Sequence, residues 1–514
     1  MLSMFRWIGM AVVALTPARA QDHASAAAHH QQGMAFYRAH DPEGAIRELA
    51  RAVEIDTHYA EAWNDLGVIQ RQRGNVKAAI DSFRQAVKEK PQFPGAEYNL
   101  TLALDAVRDA AGAVEHARRV IALAPKMPQG HALLGRVLSE QNHLEAARDE
   151  FRRALDLDPS LAGARTGLGA ALYKLGFVSD ALRELRQAVQ QDPNSAQARY
   201  QLGLALFAGG ALEEAKSEFE RSVKLAPDLV EARINLGQLL ENENRMPEAI
   251  AQYRGALAAT PADAEIELRL ARSLVKTQSL DEARRTLDSA VRQHPRNAWL
   301  RFERGKLLAA AGDRDGALRE LKTSTELNPK AAEFYMEMSR VLHDLGKLDE
   351  QKVALATAVR LDPNSAEARY ALATLERQRG DTAASREQFA KVQQLRQEGV
   401  NRDLAQGEIR AGVVLAGKRD FDAAIECFRK AIAIDPKLGE AHFDLAGAFL
   451  EKGDARAAIP SLRQAIGLAP AWAEAHYQLG RALLLAGERD EAMSEFRAAL
   501  LNDPDHAGAR RALQ

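Results

Sequence analysis

The stretch Asp192–Tyr200 reads DPNSAQARY, and Asp362–Tyr370 reads DPNSAEARY. Eight of nine residues coincide at a separation of 170, which is five steps of 34. Neither copy contains a glycine-rich phosphate turn, a His or a Cys. The repetition therefore points to architecture rather than to chemistry, and a fixed internal period is the mark of a repeat protein. Proline carries the same step along the chain: Pro91, Pro125, Pro159, Pro193, Pro227, Pro261, Pro295, Pro329 and Pro363 are each 34 apart, and Pro436, Pro470 and Pro504 resume it.

With Ala60 as position 1 of the second repeat, other anchors fall into register. Position 8 is small in thirteen of fourteen repeats, with Gly33, Gly67, Gly135, Gly203 and Gly480 among them and Thr101 the exception. Position 20 is Ala in twelve, Gln351 and Ser385 being the departures. Position 24 is usually large and apolar, as in Phe83, Phe151, Phe219, Tyr253, Phe428 and Phe496. Apolar residues recur at helical spacing in two segments per repeat, separated by a glycine such as Gly74, Gly176 or Gly312 that ends the first helix. The closing proline stops the second helix. Each repeat is thus a helix hairpin whose apolar face is covered only by stacking on its neighbours.

The segment AWNDLGVIQRQRGNVKAAIDSFRQAV, Ala62–Val87, resembles the tetratricopeptide repeat. The resemblance extends over fourteen repeats, residues 26–506. It implies an all-α, right-handed superhelical solenoid of antiparallel helix pairs, and a concave face lined by first helices at positions 2, 5, 9, 12 and 13. The frame slips once: Pro363 to Pro436 is 73 residues, five more than two repeats. Repeats 1–11 are expected over 26–399, an insertion at 400–404, repeats 12–14 over 405–506, and a short capping helix over 507–514. The second helix of repeat 11 is expected to run on to about Gly399, and because no breaker interrupts KVQQLRQ the insertion is expected as extended helix in preference to a longer loop.

The first twenty residues differ in kind. Arg6 precedes an apolar run, Trp7–Leu15, which ends in Ala18-Arg19-Ala20. That layout is a secretory signal peptide cleaved after Ala20, and the run is shorter than the roughly 20 residues a membrane span needs. The chain is therefore expected to be exported to a bacterial periplasm or cell envelope, with no stable membrane span after cleavage. A cytosolic protein with an uncleaved N-terminus is the alternative.

Composition excludes several classes. A net charge of −2 over 514 residues gives no broad nucleic-acid footprint. One cysteine, Cys427 on an apolar helix stripe, forms no internal disulfide and no multi-cysteine metal site, and a buried inert thiol is expected. The signatures of phosphate loops, zinc proteases and serine hydrolases are absent. No cofactor, metal or catalytic residue is therefore expected. Asn99-Leu100-Thr101 matches a glycosylation acceptor inside an expected helix.

The expected function is a non-catalytic scaffold for protein or peptide partners, with a glycan-holding subunit of an envelope enzyme complex as the alternative. Position 5 carries the candidate site: Tyr200, Ile234, Leu268, Phe302, Met336 and Tyr370 form an apolar row, where repeats 1–5 have His30, Asn64, Tyr98, Ala132 and Thr166. The row is either an open groove or a buried seam between neighbouring helices. Arg272, Lys306 and Arg340 at position 9 flank it and would suit an acidic segment, unless Glu303 and Glu337, three residues before Lys306 and Arg340, pair with them.

Overall fold

The computed structural model describes residues 17–503 and 506–513. Among these residues every regular element is a helix. The apolar run Trp7–Leu15 lies outside the described residues, and Pro17–Ala20 open the first helix, Pro17–Arg38. The chain divides into two compact bodies, one ending at Gln293 and the other starting at His294. That boundary falls between repeats 8 and 9.

Inside each body the repeat is nearly invariant. Repeat 2 is a 13-residue helix, Ala60–Gln72, followed by a 14-residue helix, Val76–Glu89. Repeat 6, Ala196–Ala208 and Leu212–Leu225, has the same lengths. The turn between them needs a left-handed residue at position 15, and glycine supplies it in eight repeats, from Gly74 (φ 84°) to Gly487 (φ 92°). In the other six, His40, Arg108, Asn142, Asn244, Gln278 and Arg419 adopt φ of 59–64°. A side chain there costs about 1–2 kcal/mol, so hairpin packing is strong enough to impose the turn where the sequence has no glycine.

The small residue at position 8 and the large one at position 24 are two halves of one contact. A Cβ added at Gly203 would lie 2.5 Å from the ring of Phe219, and at Gly67 2.6 Å from Phe83. Thr101 is tolerated because position 24 of its repeat is Ala117, and both are fully buried. The Thr101 hydroxyl donates to the Glu97 carbonyl at 2.8 Å.

The two nonapeptides fold alike. Asp192 and Asp362 each accept from the backbone N–H two residues on, both at 3.1 Å. Ser195 and Ser365 each cap the following helix, accepting from Ala198 and Ala368 at 3.1 Å. Arg199 and Arg369 reach back to the proline carbonyls of Pro193 and Pro363 at 2.9 and 2.8 Å. The same position-4 tie recurs from Arg165, Arg233, Arg301, His442 and His476. It fixes the inter-repeat turn by satisfying a carbonyl that proline leaves beyond the helix end.

At the register slip the extended helix forms, and it runs on beyond the insertion. Thr382–Gly417 is one helix of 36 residues, running through Gly399 and the 400–404 segment into the first helix of repeat 12. Gly399 and Gly407 stay helical, and no left-handed residue appears before Arg419. Side-chain bonds from Lys391 to Gln394, Gln394 to Glu398 and Gln397 to Asn401 staple its middle. Its buried residues are Ser385 and Val392 in the first half and Ala405, Ile409 and Gly412 in the second, leaving the middle uncovered. The inserted residues thus join two blocks of hairpins through a shared helix of about 54 Å. At the other end, Ala507–Ala512 forms a six-residue helix that sets Ala509 and Leu513 against the last hairpin.

Candidate partner-binding face

The position-5 row falls into two parts. In the first body, Leu268 is buried (5% exposed) while Tyr200 and Ile234 are half-buried. Burial, then the charge of Glu231, pushes the Tyr200 phenol up to about 12, and its oxygen accepts from Asn235 at 3.3 Å. In the second body, Phe302 is buried (5% exposed), stacked on Phe334 with centroids 4.5 Å apart and edge-on to Trp299 at 5.9 Å. Met336 is half-buried against a cluster of Leu355, Leu372 and Leu375. Only Tyr370 is exposed, at 49%. Leu268 and Phe302 are therefore core residues and not an open groove wall. Size alone does not decide it, since Tyr370 is as large and exposed; Phe302 is buried because its ring stacks on Phe334 of the next repeat.

The basic flank is largely neutralised from within. Lys306 bonds Glu303 at 3.0 Å and lies over the Phe302 ring at 5.2 Å. Arg340 is held by Glu337 and, at 2.7 Å, by Glu367. Arg272 is half-buried. An acidic segment would have to compete with these carboxylates.

An open cavity lies where position 5 is small. First helices of repeats 3–6 enclose about 540 Å³ in the first body. Its floor is Phe151, held between glycines: a Cβ at Gly135 or Gly167 would come within 2.9 or 2.4 Å of that ring. Ala132, Thr166 and Ala170 form the walls, and none is bulky enough to fill the space. Gln129, Gln197 and Gln201 stand on the rim with no side-chain hydrogen bond among the described residues. Arg136 closes one end, bonded to Asp105 and to Glu140 at 3.0 Å. Burial, then Asp105, pushes the Glu140 carboxyl above the usual range. The arrangement offers an apolar seat with free amides around it, which suits a peptide side chain flanked by backbone groups. The sequence does not announce it, because its signal is a deficit of bulk at positions 5, 6 and 9, whereas the apolar row is a surplus.

Several other expectations resolve here. Three histidines share one role: His29, His131 and His476 at position 4 bond Glu48, Glu150 and Glu495 at position 23, at 2.7, 2.7 and 2.6 Å. Arg165 and Arg199 make the same pair with Glu184 and Glu218, both at 2.8 Å. Cys427 also occupies position 23 and is half-buried rather than buried; burial, then Glu408, pushes its thiol up, away from the reactive thiolate. Asn99 donates to Asn64 at 2.9 Å and Thr101 is fully buried, so this tripeptide is not presented as a glycosylation acceptor. Among the described residues no group of three or more His, Cys, Asp or Glu is placed to hold a metal ion, and no helix is long and apolar enough to cross a membrane.

Comparison with known proteins agrees with the repeat geometry. A family model described as tetratricopeptide repeat matches residues 30–94, 166–230, 213–264, 302–351, 353–399 and 409–471. A second of the same description matches 241–303 and 449–514, and a TPR repeat model matches 135–176. No curated protein matches the chain. Among solved structures it is similar to a chain of the APC/C hetero-tetramer Cut9-Hcn1, at 16% identity and TM-score 0.36, covering 95% of each chain. It is also similar to a tetratricopeptide repeat protein from Parabacteroides merdae ATCC 43184, at 14% identity and TM-score 0.44 over 49% of this chain and 99% of that one. Pseudomonas aeruginosa pilF is similar at 22% identity and TM-score 0.38, over 43% of this chain and 98% of that one. With family models covering most of its length and helix hairpins repeating at a step of 34, the chain belongs to the tetratricopeptide repeat family.

Proposed function

We propose that this protein is an exported scaffold that captures a peptide segment of a protein partner in the cavity of repeats 3–6. Family membership supports the coarse role, since this fold in general presents surfaces for protein contacts and carries no chemistry of its own. The observation that carries the site is the open seat over Phe151, ringed by three unbonded glutamine amides. An apolar side chain enters the seat, and Gln129, Gln197 and Gln201 bond the neighbouring peptide groups. Export rests on the layout of residues 1–20.

The test is selection of peptides from a random displayed library on the full-length protein, then affinity measurement on Ala132→Trp. The indole fills the cavity without entering the core, so selected peptides bind about tenfold weaker or worse while the melting temperature holds. Unchanged affinity places the partner elsewhere. Sequencing the N-terminus of the protein recovered from its native cell decides export: a chain starting at Gln21 supports it, and one starting at Met1 in the cytosol ends it.

A further inference from the structure

A second cavity lies in the second body, about 410 Å³ in volume, between the C-terminal end of the long helix Thr382–Gly417, the helix Phe421–Ile434 and the helix Gly439–Lys452. Its walls combine aromatic rings with acid. Phe421, Phe428 and Phe443 line it, and Phe443 is fixed by stacking on Trp472 at 4.5 Å. Asp444 and Glu451 supply carboxylates, with Glu440 one turn before Asp444. This chain pairs most of its buried and half-buried acids, as with Glu48, Glu150, Glu184 and Glu218. Asp444 makes no ion pair or hydrogen bond among the described residues, and its surroundings push its carboxyl up to about 6, through burial first and Glu440 second. Arg419, the one cationic side chain on the wall, is not among the groups that act on Asp444. The space beside it is real: a Cβ at Gly417 or Gly447 would meet nothing within 4 Å.

We propose that this cavity receives the basic side chain, Arg or Lys, of a protein partner, with Asp444 as counter-ion and the phenylalanine rings as walls. Charge complementarity selects the occupant. An unneutralised carboxylate among aromatic faces attracts an organic cation. A divalent metal ion would ask for six or more oxygen ligands, which rings and glycines do not offer. A neutral apolar side chain would bury Asp444 further without a partner, which is unfavourable. The proposal is independent of the cavity in repeats 3–6.

Saturation-transfer NMR on the full-length protein tests it, with the blocked pentapeptide Ala-Ala-Arg-Ala-Ala as probe and its citrulline analogue as the neutral isostere. The arginine peptide binds about tenfold tighter than the citrulline one. Asp444→Asn abolishes that preference and keeps the fold, since it removes an unpaired charge. Gly447→Leu fills the cavity, leaves the carboxylate in place and also abolishes binding at an unchanged melting temperature. Asp490→Asn, an exposed acid elsewhere, leaves binding as in the native protein. Equal binding of the two peptides, retention in Asp444→Asn or Gly447→Leu, or loss in Asp490→Asn overturns the proposal.

Discussion

At the residue scale, most polar side chains here serve the turns and hairpins. Position 4 ties the proline carbonyl and, in many repeats, a position-23 acid, so a charged row that looks available from the sequence is committed. Asp444 is the contrast, a half-buried carboxyl with no bonding partner among the described residues. Its folded pKa lies above its unfolded one, so the folded state holds the proton more tightly, and stability falls as pH rises from about 4 to 6. Asp444→Asn is therefore expected to melt higher than the native protein at pH 7–8. The gain shrinks as pH falls from about 6 and disappears at about pH 3, below the unfolded Asp value of about 3.9, where both folded and unfolded Asp444 are largely neutral. Thermal melts across that range check it, and a constant difference between the two proteins would contradict the assignment.

At the element scale, the 36-residue helix is the departure from the repeat. Its middle, residues 393–404, contributes no buried side chain, and Val400 and Leu404 are more than half exposed. Local stability follows buried contacts, so these amides are expected to exchange with solvent faster than those of the buried faces of repeats 5–7. Gly399 weakens the helix here for no packing gain, because a Cβ on it would meet nothing within 4 Å. Gly399→Ala is expected to stabilise the helix by about 1 kcal/mol and to slow exchange over 393–404 in hydrogen-exchange mass spectrometry. If exchange there is already as slow as in repeats 5–7, something covers the segment in solution.

At the scale of the whole molecule, stability is close to a sum of hairpins and their neighbour contacts. The position 8–position 24 pair is the repeated unit of that sum, written as Gly with Phe in repeat 6 and as Thr with Ala in repeat 3. The two spellings are expected to be interchangeable. Gly203→Thr alone overpacks and costs about 1–3 kcal/mol, and Phe219→Ala alone leaves a void costing about 3–5 kcal/mol. Together they rebuild the repeat 3 pairing, and the double variant is expected to recover at least about 1 kcal/mol relative to the sum. Denaturant melts of the four proteins give the cycle; strict additivity would mean the two positions do not share one space.

The fold was legible in the sequence because its determinants are local and periodic. Pro193 and Pro363 mark the same turn, Gly74 and Gly176 the same left-handed residue, and Gly67 with Phe83 the same contact, each recurring at 34. The long helix was legible in the lack of a breaker through KVQQLRQ, whereas its end was not: Gly399 and Gly407 do not stop a helix whose next turn already packs. The binding face was not legible. Whether position 5 is groove or core depends on side chains of the next repeat: Phe302 stacks on Phe334 and is buried, while Ala132 and Thr166 line a cavity. Whether an acid is free depends likewise on what faces it, as Glu303 holds Lys306 and none of the described residues bonds Asp444. Period and turn chemistry are properties of one repeat and can be read along the chain. Open volume and unneutralised charge are differences between neighbouring repeats, and only the packed structure sets them.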